Sequence, residues 1–144
     1  MKKALLAQDK GLFSSNYARN AFKQYNADLE KICWQVGIMD YGGPFSWKNF
    51  EAENWLFLHS KMSSFETMKW SELPKERHHS IDVDDLSLEA KKRLLELKRN
   101  DIDQVFSFAL GGKIRLIGIR DRHVFKLLWW DPEHQACPSK KKHT

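Results

Sequence analysis

Arginines, lysines and histidines are concentrated in the last third of the chain, around an apolar stretch rich in β-forming residues. The sequence reads KIRLIGIR from Lys113 to Arg120, and the segment from His123 to His134 follows closely. Alternate residues of a strand point to opposite faces, so Lys113 and Arg115 share one face while Arg120 belongs to the other. The segment therefore predicts a strand that displays cations able to bind an anion.

The first candidate site is the set of cations in this segment. A guanidinium stays charged at physiological pH, so arginines on adjacent strands can bind a backbone phosphate or stabilise charge that develops on it. Within the set we favour Arg115 as the phosphate-binding residue. The alternative is an exposed strand cation paired with a carboxylate, because such surface pairs are common and individually weak. The set comprises Lys113, Arg115, Arg120, Arg122 and Lys126.

Histidines form the second candidate constellation. Imidazole can both accept and donate a proton near neutrality, which phosphodiester cleavage without a metal would use. We favour His134, because it follows the last predicted strand and would face the arginines at the end of the sheet; the alternative is a structural histidine. His134 and Cys137 alone have zinc-like spacing, and one such pair does not predict a metal site, so we expect no cofactor. The remaining histidines of interest are His78, His79 and His123.

Positive charge is distributed unevenly along the 144 residues. Residues 1–90 carry 11 Lys or Arg against 13 Asp or Glu, whereas residues 91–144 carry 13 against 6. Segregated positive charge attracts polyanions, so the distribution predicts a nucleic acid or an acidic protein as partner. The alternative is a solvated surface with a basic tail. The residues that we predict to contact nucleic acid are His79, Lys91, Lys92, Arg99, Arg122 and Lys126.

The tryptophans are mainly predicted to be core residues. Trp129 and Trp130 are adjacent in a predicted strand, so their side chains point to opposite sides and at least one is buried. The other could stack an unpaired base, although two core tryptophans are the more common arrangement. We expect the core between helices and sheet to be filled by Trp34, Trp47, Trp55 and Trp70.

Apolar periodicity predicts the elements that position these residues. Helical spacing predicts helices over 21–31, 49–65 and 88–100, the last with a basic exposed side. Alternation and β-propensity predict strands over 34–40, 81–83, 104–110, 113–120 and 123–130. The last three strands form an antiparallel meander. Gly111 and Gly112 suit its first turn, and Asp121-Arg122 at the second needs a residue that tolerates left-handed geometry.

One domain accounts for the chain, because 144 residues with 42% hydrophobic content can bury a single core. We predict an N-terminal arm over 1–20, an α+β domain over 21–139 and a basic tail over 140–144. Cys33 and Cys137 do not suggest a disulfide framework. The opening residues lack a signal-peptide pattern, and no apolar run approaches the roughly 20 residues that span a bilayer. We therefore expect a cytoplasmic protein with no membrane partner.

Two resemblances add to this interpretation. The blocks GPFSW, FETMKWSEL and LLWWDPEHQACPS, within residues 32–139, resemble an uncharacterised family of small bacterial proteins that supplies no function. More loosely, the order of predicted elements, the cations on the sheet and the histidine after the last strand resemble the RelE and ParE superfamily of toxin components. The chain has an extra strand-like piece, a longer N-terminal region and no tyrosine at its end.

The RelE resemblance implies a metal-independent endoribonuclease that cuts mRNA on the ribosome and is neutralised by an antitoxin protein. By position, Arg115 and Arg120 would hold the scissile phosphate, Lys113 would assist, and His134 would act as the acid or base. It also implies an α+β fold with helices packed on one face of an antiparallel sheet that ends in a three-stranded meander. Another hypothesis is a non-enzymatic module that binds nucleic acid or protein, including a ParE-like inhibitor of a cellular target.

Overall fold

The computed structural model describes residues 25–138, which form a five-stranded sheet with two α-helices and several single turns of 3-10 helix. The sheet order is β1-β5-β4-β3-β2. The strands are β1 (Cys33–Gln35), β2 (His79–Asp82), β3 (Gln104–Gly111), β4 (Ile114–Asp121) and β5 (Val124–Asp131). The helices are α1 (Trp55–Phe65) and α2 (Leu88–Glu96). Neither helix in this part of the chain has the length and apolarity needed to cross a membrane.

The predicted three-stranded meander is confirmed. β4 pairs antiparallel with both β3 and β5. The first turn is formed by Gly112 and Lys113, and Gly111 ends β3 opposite Ile114. Arg122 and His123 form the second turn. Each turn therefore begins one residue later than predicted, although the positive φ values of Gly111 (+123°), Gly112 (+55°) and Arg122 (+58°) fall on residues expected to tolerate them.

The sheet is mixed, which corrects the prediction of an antiparallel sheet. β1 runs parallel to β5, with Cys33 opposite Val124 and Gln35 opposite Lys126. β1 is also shorter than the predicted strand over 34–40, because the chain turns away after Gln35. The predicted brief strand at 81–83 is present as β2, which pairs antiparallel with β3.

Both faces of the sheet are buried, and each carries its own apolar cluster. Phe106 of β3 and Leu58 of α1 belong to the first cluster, and Val105 of β3 and Leu94 of α2 belong to the second. The helices therefore cover opposite faces, which corrects the prediction that they share one. The reason lies in β3, whose residues 105–110 are all buried. A strand buried on both sides needs a covering layer on each face.

A bulge in β5 connects the sheet to the loop that follows β1. The β4–β5 register shifts after the pair of Ile117 and Trp129, so that Leu128 lies opposite no β4 residue. The Leu128 carbonyl oxygen accepts hydrogen bonds from the Asp40 N–H at 2.9 Å and the Trp47 indole N–H at 3.0 Å. The bulge thus uses its displaced carbonyl to hold the loop, as is typical of bulges that redirect local pairing.

The tryptophan predictions are confirmed in part. Trp129 is buried in the second cluster and Trp130 in the first, so both are core residues and the stacking alternative is wrong for this pair. Trp47 and Trp70 are also buried. Trp55 is wrong as a core residue, because it lies at the start of α1 with 53% of its surface exposed.

The helix predictions differ most in their boundaries. Over 21–31 only Ala27–Leu29 forms a single 3-10 turn, with residues 21–24 outside the described part. α1 begins at Trp55 rather than at residue 49, since the chain there forms the 3-10 turns Trp47–Asn49 and Ala52–Asn54. α2 starts where expected, because the Ser87 hydroxyl accepts the Ala90 N–H and caps it. The predicted arm over 1–20 and tail over 140–144 lie outside the described residues.

Asp40 and Arg93 fasten α2 to the loop after β1. Arg93 donates from Nη2 to Asp40 Oδ1 at 2.7 Å and from Nε to Oδ2 at 2.9 Å, and the Trp129 indole N–H also donates to Oδ2. Burial alone would raise the pKa of Asp40, but the hydrogen bonds from Arg93, the Gly42 N–H and Trp129 together lower it. This bidentate pair fixes the second layer of the fold against the sheet.

Candidate functional site

A cleft of about 730 Å³ opens on the face of the sheet that carries the second cluster. β2, β3 and the start of β4 form its floor and one side, and the loop after β5 forms another. It brings together two of the predicted catalytic residues and one predicted nucleic-acid contact, with one cation that the sequence analysis missed. These residues are Arg115, His134, His79 and Arg77, respectively.

Arg115 is held by backbone carbonyls at the start of β4. Its Nη1 donates to Gly112 O at 2.7 Å and Ile114 O at 3.0 Å. Within residues 25–138 Arg115 forms no ion pair, and its hydrogen bonds leave from Nη1 alone. Burial lowers the pKa of Arg115 and the charge of Arg77 lowers it further, against the opposing effect of Asp131. A guanidinium remains charged despite such a decrease, so Nε and Nη2 are available to an anion.

His134 occupies a loop whose shape depends on Asp131. The Asp131 carboxylate, at the end of β5, accepts the Gln135 N–H through Oδ1 and the Ala136 N–H through Oδ2, both at 2.9 Å. His134 lies inside this turn with φ +58°, a left-handed conformation that this residue type adopts more readily than most. The Asp131 carboxylate therefore stabilises the turn that contains His134 through two backbone N–H groups.

The protonation of His134 depends on the same surroundings. Burial lowers the pKa of His134, the positive charge of Arg115 lowers it further, and the Asp131 carboxylate partly opposes both. The net decrease favours the neutral imidazole at physiological pH, which is the form that accepts a proton. Arg115 and His134 thus line the same cleft, and the Arg115 charge acts on the imidazole.

His79 brings a second imidazole to the cleft from the edge strand β2. It pairs with Ser107 of β3 and is exposed to solvent. Its Nδ1 lies 3.2 Å from the Ser80 carbonyl oxygen, so a proton on Nδ1 would donate there. In that tautomer Nε2 has the free lone pair, so Nε2 is the ring nitrogen that can exchange a proton with a ligand.

The cleft has mixed charge. Arg77 and Arg115 contribute positive charge, while Glu76, Asp82 and Asp85 also line it. One of these carboxylates is already engaged, because Asp82 accepts the side-chain amide of Gln104 at 2.8 Å. The cleft is therefore lined by two guanidinium groups and three carboxylates and is not uniformly cationic.

His78 is structural, although it precedes His79 directly. Its Nδ1 accepts the Ala109 N–H at 3.1 Å and thereby extends the hydrogen bonding of β3 beyond His79, the first β2 residue. The ring is buried and contacts Phe65 and Phe108. Burial first, and then the charges of Arg77 and other neighbours, lower the pKa of His78 to about 4. Sequence alone could not separate this histidine from its neighbour, since both belong to one polar loop.

Arg120 lies on the opposite face from Arg115, as strand alternation requires. Its guanidinium carbon lies 4.1 Å from the centroid of the Trp70 ring, and its Nη2 is 2.5 Å from Asp28 Oδ1. Trp70 belongs to the first cluster, whereas the cleft adjoins the second. The prediction that Arg115 and Arg120 hold one phosphate together is therefore wrong in its geometry.

Three other predicted cations are paired with surface carboxylates. Lys113 lies 3.8 Å from Glu133, and both Arg122 and Lys126 contact Asp121, at 3.2 Å and 3.6 Å. The nearby cations lower the pKa of Asp121, with the Arg122 hydrogen bond as the largest cause. None of the three lines the cleft, although Lys113 adjoins it through the loop that carries His134.

The predicted contacts on α2 lie apart from the cleft. Lys91 donates to the Asp84 carbonyl oxygen at 3.3 Å, Lys92 is exposed, and Arg99 follows the end of the helix. They do not join Arg115 in lining one surface. Among residues 25–138, no group of three or more His, Cys, Asp or Glu side chains is arranged to hold a metal ion.

Comparison with known proteins adds no family to this geometry. No protein-family model, no curated protein and no solved structure matches the chain. The resemblances to the family with the LLWWDPEH ending and to the RelE and ParE superfamily therefore stay predictions from the sequence, and the cleft has to be interpreted from its own residues.

Proposed function

We propose that the cleft binds single-stranded RNA and cleaves its phosphodiester backbone without a metal ion. The observation that carries this proposal is the position of Arg115, His79 and His134, which come from three different elements and line one cleft. Arginine supplies a charged fork for phosphate oxygens, and two imidazoles supply a proton acceptor and a proton donor. These three groups are sufficient for an internal transesterification of RNA.

In the proposed reaction, neutral His134 accepts the proton of the ribose 2′-hydroxyl, and the 2′-oxygen attacks the adjacent phosphorus. The bond from phosphorus to the 5′-oxygen breaks, and protonated His79 donates a proton to that leaving oxygen. Arg115 binds the non-bridging oxygens and stabilises the charge that develops on them. The products are a 2′,3′-cyclic phosphate and a 5′-hydroxyl end, and water restores the proton balance of the two histidines.

The lowered pKa of His134 supports its assignment as the base. Burial and the charge of Arg115 disfavour the imidazolium form, so the ring is available to accept a proton at neutral pH. His79, in contrast, is exposed to solvent on the edge strand. The two histidines thus have different surroundings, which is the usual way in which acid and base roles are separated.

We propose a toxin of a toxin–antitoxin system as the biological setting, with mRNA as substrate and an antitoxin protein as partner. This part rests on the sequence resemblance to RelE and on the Arg115 and His134 positions. The mixed sheet with one helix on each face differs from the one-sided arrangement that the resemblance implies. Inhibition of bacterial growth on expression, relieved by a small protein encoded next to the gene, is the expected result.

The reaction is tested with a labelled RNA oligonucleotide and its DNA counterpart in the presence of EDTA. We expect RNA cleavage with a cyclic phosphate end and no DNA cleavage, because DNA lacks the 2′-hydroxyl. His134→Ala should reduce the rate by about 10²- to 10⁴-fold, and Arg115→Ala by about 10²- to 10³-fold. Lys48→Ala removes one exposed positive charge that does not line the cleft, and it serves as the control. Wild-type rates in both cleft variants would disprove the assignment.

A second candidate is a module that binds a partner without chemistry. The mixed charge of the cleft favours it, because Glu76, Asp82 and Asp85 beside Arg77 and Arg115 complement a polypeptide that carries both signs. It predicts a stable complex with no cleavage product at any protein excess. RNA binding in this mode would weaken steeply with salt, whereas capture of a protein would persist after nuclease treatment.

A further inference from the structure

Arg120 has an environment that the proposed reaction does not use. Its guanidinium carbon lies 4.1 Å from the Trp70 ring centroid, within the range of a cation–π contact. Nε donates to the Arg122 carbonyl oxygen at 2.7 Å and Nη2 donates to Asp28 at 2.5 Å. The side chain is nevertheless 26% exposed. The guanidinium is thus fixed in orientation by three partners and still reaches solvent.

A guanidinium fixed in this way is suited to stacking. Its donors at Nε and Nη2 are engaged, its carbon lies over the Trp70 ring, and the residue also lines two cavities that a planar group could enter. Unpaired RNA bases stack on arginine planes as well as on aromatic rings. A base could therefore stack on Arg120 while Trp70 stays buried beneath the guanidinium.

The surroundings of Arg120 connect it to the cleft across the edge strand β2. Arg120 lines two cavities of about 220 Å³ and 310 Å³. Ser80 lines both of these cavities and also the cleft, and His79 lines the cleft and the smaller cavity. β2 is the last strand in the sheet order, so within residues 25–138 no strand lies beyond it. The cleft and both cavities therefore adjoin this one edge strand.

The chemistry of this surface matches a nucleic-acid strand. Lys75 lines the smaller cavity, and Arg122, whose side chain is 68% exposed, lines the larger one. Both side chains can bind phosphate groups of the backbone. The exposed ion pair of Arg122 with Asp121 is weak, so Arg122 can release Asp121 and bind a phosphate instead. Arg115 and Arg120 are five residues apart on β4, roughly 16 Å along the strand. A nucleic-acid strand that passes around the β2 edge also has to cross β3 and β2 on each face, at about 4.8 Å per strand, so its path is longer than this distance.

We propose that a single RNA strand crosses the β2 edge, with one phosphate at Arg115 and a base several nucleotides away stacked on the outer side of Arg120. The inference rests on the proposed function, because Arg115 must bind RNA for the strand to be anchored. It assigns Arg120 to base stacking, a role distinct from holding the scissile phosphate. Duplex RNA does not fit this role, since its bases are already paired and stacked.

The inference is tested by fluorescence anisotropy with 5′-labelled RNA and the full chain carrying His134→Ala, which slows cleavage enough for binding to be measured. We expect a nine-nucleotide RNA to bind at least tenfold more tightly than a trinucleotide. Removing single bases along the nine-mer, with the backbone kept, should weaken binding about tenfold at one position only. Arg120→Lys keeps the charge but loses the plane, and should abolish the penalty for that missing base, whereas Lys48→Ala should not.

The outcomes separate the two proposals. Equal affinity for every abasic nine-mer, or tighter binding of duplex RNA, would overturn the stacking role while leaving the cleft reaction intact. Failure of every RNA to bind would overturn the proposed function and this inference with it. The abasic series uses Arg120 unchanged, so it decides the question even when Arg120→Lys melts at a lower temperature than its parent.

Discussion

Arg115 and Asp131 lie directly opposite each other in the β4–β5 ladder, yet they form no ion pair within the described residues. The Asp131 carboxylate, 1% exposed, is engaged by the N–H groups of Gln135 and Ala136. Burial lowers the pKa values of Arg115 and His134, and the negative charge of Asp131 partly opposes this decrease. One buried carboxylate therefore shapes the loop of His134 and leaves the Arg115 guanidinium open to a ligand.

Asp131→Asn tests this positioning role. An amide oxygen can replace only one of the two carboxylate acceptors, and the amide nitrogen would face a backbone N–H. We expect a loss of about 2 to 3 kcal/mol in the free energy of unfolding and a fall in kcat with little change in KM. Glu133→Gln, in the same loop, removes a weak exposed pair with Lys113 and should change the unfolding free energy by less than about 1 kcal/mol. Equal effects of the two variants would contradict the assignment.

The titration of His134 should depend on Arg115. Burial and the Arg115 charge lower the pKa of His134, so Arg115→Gln, which removes the second cause, should raise it. The pKa should rise because the positive charge of Arg115 disfavours the positively charged imidazolium form of His134. Proton NMR of the imidazole resonances over pH 4 to 8 measures this shift without requiring activity. A His134 titration that Arg115→Gln leaves unchanged would show that the two groups do not interact.

His78 should make the fold sensitive to acid. Its folded-state pKa of about 4 is depressed below the unfolded value of 6.5, so the unfolded chain binds more protons in this interval. The contribution to stability is fully present above about pH 6.5 and is lost as pH falls towards 4. Urea unfolding at several pH values measures this slope. His78→Gln, which keeps an acceptor for the Ala109 N–H, should flatten it, and an unaltered slope would argue against the assignment.

Asp40 and Arg93 should behave as a coupled structural pair. Asp40→Asn leaves Arg93 without its bidentate partner and should cost about 2 to 4 kcal/mol in the free energy of unfolding. Gly43→Ala should act through the same contact, because Gly43 has φ +72° and an added Cβ would approach Arg93 Nε to 2.5 Å. A double-mutant cycle of Asp40→Asn and Gly43→Ala by chemical denaturation should be non-additive. Additive losses would mean that the glycine and the carboxylate act separately.

Gly118→Ala tests the packing between β4 and β5. A Cβ there would overlap the Lys126 carbonyl oxygen and the Phe125 ring, so we expect a loss of about 1 to 3 kcal/mol or more. Gly37→Ala is the matched control, because nothing lies within 4 Å of its added Cβ and its φ lies outside the left-handed range. Thermal unfolding of both variants decides the point. Similar melting temperatures for the two would contradict the described strand packing.

Local sequence patterns predicted much of the framework. The glycine pair Gly111-Gly112 and the cap at Ser87 act over a few residues, so their consequences were readable without the fold. Alternation along KIRLIGIR also separated Arg115 from Arg120 correctly by face. The N-terminal limit of α1 was less predictable, because residues 47–54 have helical spacing but form isolated 3-10 turns.

Local patterns predicted the meander and the basic second helix, and they favoured Arg115 and His134 as the groups of a site. Tertiary structure alone decided that β1 joins β5 in parallel, that the helices cover opposite faces, and that His79 and His134 line one cleft while His78 is buried. The reason is physical. Periodicity indicates which residues are buried. The segments that cover them depend on contacts between parts of the chain that are far apart in sequence, and a local pattern does not contain this information.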